Sequence, residues 1–133
     1  MLVLTYFRFA ERYLYSVSEG ISEMKSPEVH HVDEFVGGWF LGDFLPSLLR
    51  TTSFEVGLKT HKKGEQIASH RHNLLTEYTV VVKGRILING RIMQEKEVFV
   101  LYPREGVVAE PLTEEVWLIC VKVPSIPSDK EIL

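Results

Sequence analysis

The sequence predicts an all-β domain, either a sandwich or a barrel, and three observations carry that reading. From Gly37 onward the chain falls into short apolar or alternating runs at close spacing, with few helical stretches between them. Asn89-Gly90 is a tight-turn signal, because both residues tolerate the positive φ that a type I′ hairpin requires. Pro103, Gly106 and Pro111 then punctuate the apolar runs in the second half. Periodicity alone does not choose between sandwich and barrel.

The elements follow in order. Residues 1–26 form an N-terminal extension in which Tyr6, Phe9, Ala10, Tyr13, Leu14 and Val17 keep helical spacing, with Gly20 as the stop. Such a stripe is a packing face, over a barrel or against a partner subunit. Pro27 opens a connector, and a β-domain is expected over residues 27–124. Adjacent His30 and His31 would point to opposite sides of an extended segment, so they read as linker residues. Trp39, Phe40 and Phe44 are candidates to line one end of a barrel or a dimer contact. Ser53–His61 carries Phe54, Val56 and Leu58 at alternate positions, the period of a half-buried strand. Glu77–Lys83, Arg85–Asn89, Ile92-Met93, Glu97–Tyr102 and Val116–Val123 supply further strands. Residues 125–133 read as a turn-rich, extended tail, and no internal repeat or low-complexity tract is present.

At 133 residues the chain suits one domain able to bury a core without staples. A net charge of −3 gives no general pull toward nucleic acid or anionic membranes, and Lys62-Lys63 is only a short basic pair. The single cysteine, Cys120, has no partner for a disulfide and sits in an apolar run, which suits a small buried hydrophobe. Arg8, Glu11 and Arg12 interrupt the apolar start before an export-length core develops, and no run approaches the roughly 20 apolar residues of a membrane span. A cytoplasmic protein is the expectation.

The segment Gly64 to Gly84 carries the chemistry. His70 and His72 are two apart, so on a strand their side chains leave one face. A short connection, Asn73–Thr76, brings Glu77 to the start of the next strand, where it shares a face with Thr79 and Val81. Two imidazoles and one carboxylate meeting at a point form a facial ligand set for a divalent transition metal. The bland alternative is a hydrogen-bonded core histidine with Glu77 paired to Arg71 or Arg85.

Gly64, five residues, His70-x-His72, four residues, Glu77, six residues and Gly84 resembles the first motif of the cupin superfamily. A five-point match at fixed offsets arises by chance in fewer than about one chain in ten thousand. The strand pattern extends the likeness from about Phe54 to Val123, and residues 1–26 lie outside it. The resemblance implies a double-stranded β-helix, or jelly-roll barrel, with Gly64 and Gly84 as turn residues. It also implies a divalent metal (iron, manganese, nickel or zinc) held by His70, His72 and Glu77.

The second family motif is degenerate. Lys96-Glu97 stands where a glycine turn is usual, Pro103-Arg104-Glu105-Gly106 follows, and Val108 or Ala109 occupies the place of a fourth ligand histidine. No histidine follows His72. Three protein ligands would leave positions open for water or substrate; alternatively Glu110, Glu105, Tyr102 or His61 substitutes, or metal affinity is lost. His61 reads rather as an exposed strand-end residue beside Lys62.

These readings imply a small metal-binding cupin that takes a small polar molecule, a carbohydrate derivative or organic acid. Dioxygenase chemistry with iron(II) and isomerisation with a Lewis-acid metal both fit such a set. Tyr102 and Glu110 are candidate general bases, with nothing to assign the role. The alternatives are a non-catalytic binding or accessory barrel without metal, and a structural dimerisation module. Cupins commonly pair, so a homodimer is expected, with the Tyr6–Val17 stripe as a candidate contact. Nothing points to a phosphate loop or a serine nucleophile elbow.

Overall fold

Eleven strands are laid down between His31 and Leu133, and their pairing is antiparallel throughout the three sheets. The computed structural model describes residues 25–133, so the helical stripe expected over Tyr6–Val17 lies outside the described residues. Residues 31–133 form one compact unit.

The largest sheet has the order β1-β2-β10-β4-β7, from Trp39–Leu41, Glu55–Lys62, Glu115–Val123, Thr76–Lys83 and Val98–Leu101. A second, β11-β3-β8, joins Lys130–Ile132, His70–His72 and Gly106–Val107. The third, β6-β5-β9, joins Arg91–Gln94, Arg85–Ile88 and Ala109–Pro111. Sequence neighbours are rarely sheet neighbours, which is the crossing connectivity of a jelly roll. The core is shared between sheets: Val81, Val116, Leu118 and Cys120 of the large sheet pack with Ile86, Ile88 and Val107 of the smaller ones. The all-β expectation holds. Among the described residues no helix is long and apolar enough to cross a membrane.

Turn chemistry explains the strand breaks. Asn89 and Gly90 take φ of 48° and 82°, closing the expected β5–β6 hairpin. In the degenerate half, Lys96 and Arg104 adopt φ of 71° and 70° without being glycine. The turn geometry persists although glycine is missing, at a local cost of about 1 kcal/mol each.

Strand β2 follows the expected period of two but turns the unexpected face inward. Glu55 and Gly57 are buried, and Glu55, Lys59 and His61 line an internal cavity, whereas Val56 and Leu58 are only half-buried. Gly57 permits this by leaving room for Trp39, whose ring would lie 2.7 Å from a Cβ there. The tail is likewise drawn into the barrel. Its β11 pairs with the histidine strand, Lys130 opposite His72 and Ile132 opposite His70.

Candidate metal centre

Strand β3 is only three residues long, so its neighbours hold it. On one side it pairs with β11, and on the other His70 and Arg71 pair with Val107 and Gly106 of β8. The pleat then separates its side chains. His70 and His72 enter the cavity, while Arg71 turns outward and bridges Glu131 at 2.9 and 3.2 Å.

The connector to Glu77 is folded around one carboxylate. Asp129 accepts the backbone N–H groups of Asn73, Leu74 and Leu75 at 3.2, 2.9 and 3.0 Å. Burial pushes the Asp129 carboxyl up, but these three amides more than offset it and hold it below the usual carboxylate range. Leu75 is fully buried beneath, so the connector is fixed by packing as well as by hydrogen bonds.

Glu77 emerges on β4 in a row that crosses the sheet. Glu55 of β2 pairs with Lys122 of β10, which pairs with Glu77, which pairs with Leu101 of β7. Thr79 Oγ1 donates to Glu77 Oε1 at 3.2 Å. Burial again raises the carboxyl, and His72 together with the Lys122 charge outweighs it, so Glu77 is held ionised below its ordinary range.

The three sequence-predicted ligands are placed unequally. His72 Nε2 and Glu77 Oε2 lie 3.2 Å apart with both side chains largely buried. The pair falls short of directed hydrogen-bond geometry, and neither ring nitrogen of His72 has a hydrogen-bond partner. His70 lines the same cavity with its ring centroid 5.5 Å from that of His72. Among the described residues, no three His, Cys, Asp or Glu groups close around a single metal-sized point.

His70 is prepared in another way. Its Nδ1 lies 2.9 Å from the Ala68 carbonyl, which only accepts, so Nδ1 carries the proton and Nε2 keeps its lone pair. Burial lowers the imidazole below its ordinary 6.5, and Lys130 adds to the effect, which keeps the ring neutral at pH 7.

The surrounding cavity is about 440 Å³, in the range of small-molecule sites. Of the two residues considered for the fourth-ligand place, Ala109 lines the cavity, whereas Val108 is exposed. Of the substitutes weighed for that ligand, Tyr102, Glu105 and Glu110 lie outside the cavity lining. His61 lines it, its side chain only 16 % exposed, with Nδ1 at 2.9 Å from Glu65. The expectation of an exposed strand end is therefore replaced by a cavity position. Cys120 also faces the cavity, buried as expected, and burial beside Glu77 pushes its thiol up to about 12. Such a thiol is inert at neutral pH.

Sequence reasoning missed the charged lining residues Glu55, Lys59, Lys122 and Lys130. For Glu55 and Lys59 the available signal was the polar alternation Glu55, Gly57, Lys59, His61, which ran beside the more conspicuous apolar one.

The chain matches no family model, and no curated protein matches it. Solved structures do. An uncharacterised conserved protein with a double-stranded β-helix domain from Klebsiella pneumoniae aligns over 82 % of this chain and 96 % of its own, at 20 % identity and a TM-score of 0.60. KdgF from Halomonas sp. aligns over 57 % of this chain and 73 % of its own, at 19 % identity and a TM-score of 0.54. DMSP lyase DddQ from Ruegeria pomeroyi aligns over 71 % of this chain but 49 % of its own, at 9 % identity and a TM-score of 0.60. At these identities the likeness is one of fold, and with the antiparallel sheets described above it shows that the chain folds as a double-stranded β-helix.

Proposed function

We propose that the barrel binds a divalent transition metal through His70, His72 and Glu77. With it the cavity would take a small polar molecule, a carbohydrate derivative or organic acid. One observation carries this reading: His72, 5 % exposed, leaves both ring nitrogens without a hydrogen-bond partner beside an ionised carboxylate. Buried polar atoms of this kind cost about 1–3 kcal/mol each unless something satisfies them. A cation does so for imidazole nitrogen and carboxylate oxygen together.

The remaining residues support the same use. Ala68 fixes the His70 tautomer and Thr79 steadies Glu77, the outer contacts that metal ligands ordinarily have. When bound, the metal would supply Lewis acidity for isomerisation or, as iron, a centre for oxidation by dioxygen. The chain itself would orient the ligand between the charged row and the apolar wall. Tyr102 and Glu110, weighed as bases, do not line the cavity, so neither is assigned a catalytic role.

The second reading is a non-catalytic binding barrel, favoured by Ala109 standing where a fourth ligand is usual. A homodimer is also part of the proposal. Tyr78, Val82, Val98, Trp117 and Ile119 stand exposed on the outer face of the large sheet, an apolar surface a second copy would cover. Calorimetric titration with manganese, nickel, zinc and anaerobic iron(II) tests the site. One-to-one binding by the wild type that disappears in His72→Ala supports it, and equal binding by both proteins contradicts it.

A further inference from the structure

The cavity of this acidic protein is itself positive. Three lysines line it, Lys59, Lys122 and Lys130, against two glutamates, Glu55 and Glu77, while the whole chain carries −3. The charges are not evenly matched. Glu55, 3 % exposed, sits 3.8 Å from Lys122 and also accepts from Ser125 Oγ at 3.2 Å, so that lysine has its counter-charge. Trp39 pins Lys122 further, with Nζ 4.3 Å from the ring centroid. Glu77 belongs to His72.

Lys59 and Lys130 remain. Lys59 Nζ donates to the Gly37 carbonyl at 2.6 Å and stands 5.6 Å from the Trp39 ring, both neutral partners. Among the described residues no carboxylate lies within ion-pair distance of either lysine. Lys130 is opposite His72 in the β11–β3 ladder and is exposed, which places it at the cavity rim beside the histidines. Burial pulls the Lys59 ammonium below its ordinary value, the response of a cation removed from water without a counter-ion.

The lining also has a large apolar share: Ile86, Phe99, Leu101, Val107 and Leu118 give a surface on which the hydrocarbon body of a ligand can lie.

We infer that the cavity takes a small organic acid with an apolar body, its carboxylate received by Lys59 and Lys130 and its body laid against Phe99, Leu101 and Leu118. The inference rests on the proposed reading of the cavity as a ligand site and narrows its ligand class. It does not require the metal. A bound dication would add to the same positive field.

The test uses the full chain and matched probes: hexanoate and benzoate, their neutral amides hexanamide and benzamide, and the sugar acid glucuronate. Binding is read by Trp fluorescence and calorimetry, and metal content is measured on the same samples. The expected result is binding of both acids at least tenfold tighter than their amides, with glucuronate weaker than hexanoate. In a Lys59→Gln, Lys130→Gln variant that preference should collapse to within about twofold, while the melting temperature and metal content stay at wild-type values. Amides binding as well as acids, glucuronate binding best, no probe binding at millimolar concentration, or an undiminished preference in the variant would each overturn the inference. Lysine-dependent acid binding by a protein that takes up no metal would uphold it while removing the metal reading.

Discussion

Glu77 Oε2 stands 3.2 Å from His72 Nε2, yet the two do not form a directed hydrogen bond, and neither ring nitrogen has another hydrogen-bond partner. Folding has thus brought an anion and a lone-pair donor together in a buried place without satisfying the donor. A ligand that binds only the folded chain stabilises it in proportion to its occupancy, by about 2.7 kcal/mol at a hundred times its Kd. Thermal melts should therefore rise by several degrees when manganese, nickel or zinc is added, and fall back with chelator. A His72→Ala variant should show no rise.

Asp129 holds the connector between His72 and Glu77 through three amide bonds. Hydrogen bonds to a charged acceptor contribute about 1.5–3 kcal/mol each, but their losses do not add fully. Asp129→Ala is expected to cost about 3 kcal/mol, read as a lower urea midpoint with the slope unchanged. A loss below about 1 kcal/mol would show that packing of Leu75 alone fixes the connector.

The same carboxylate sets a pH dependence. Its folded pKa is lowered from 3.8, so the unfolded chain binds more protons in the acid range. The stabilisation is present above the unfolded value and is lost as pH falls through the folded one. Unfolding free energy measured between pH 5 and pH 2 should drop more steeply for the wild type than for Asp129→Asn. Parallel curves would contradict the assignment.

The two motif glycines should differ sharply. Both have left-handed φ, 84° at Gly64 and 79° at Gly84. A Cβ at Gly64 meets nothing within 4 Å, whereas at Gly84 it would press into the Glu115 carbonyl and the Thr113 hydroxyl. Gly64→Ala is therefore expected to cost about 1 kcal/mol, from backbone strain alone. Gly84→Ala should cost about 3 kcal/mol, since the neighbouring atoms are largely backbone. Denaturation of the two variants side by side checks the ranking.

Much of this architecture was legible before any coordinates. His70-x-His72 states its own geometry, because a two-residue step on a strand returns to the same face. Asn89-Gly90 states its turn. Other features were hidden for physical reasons. Strand β2 shows alternation but not which half faces inward. Its apolar half, Val56 and Leu58, pointed the wrong way because the interior is a cavity wall that holds Glu55 and Lys59. The tail looked like turns because its strand, Lys130–Ile132, is only three residues long and directly follows Pro127-Ser128-Asp129. Asp129 left no local trace, since its partners lie 54 to 56 residues earlier. Lys96 and Arg104 hold positive φ that tertiary pairing imposes against their own preference.

The measurement that bears most directly on the metal site is elemental analysis of protein purified without an affinity tag. Close to one equivalent of iron, manganese, nickel or zinc per chain is expected, and less than a tenth of that in a His70→Ala, His72→Ala variant that still folds. Wild-type protein that arrives empty and takes up none of the four ions would contradict a His70, His72 and Glu77 metal centre.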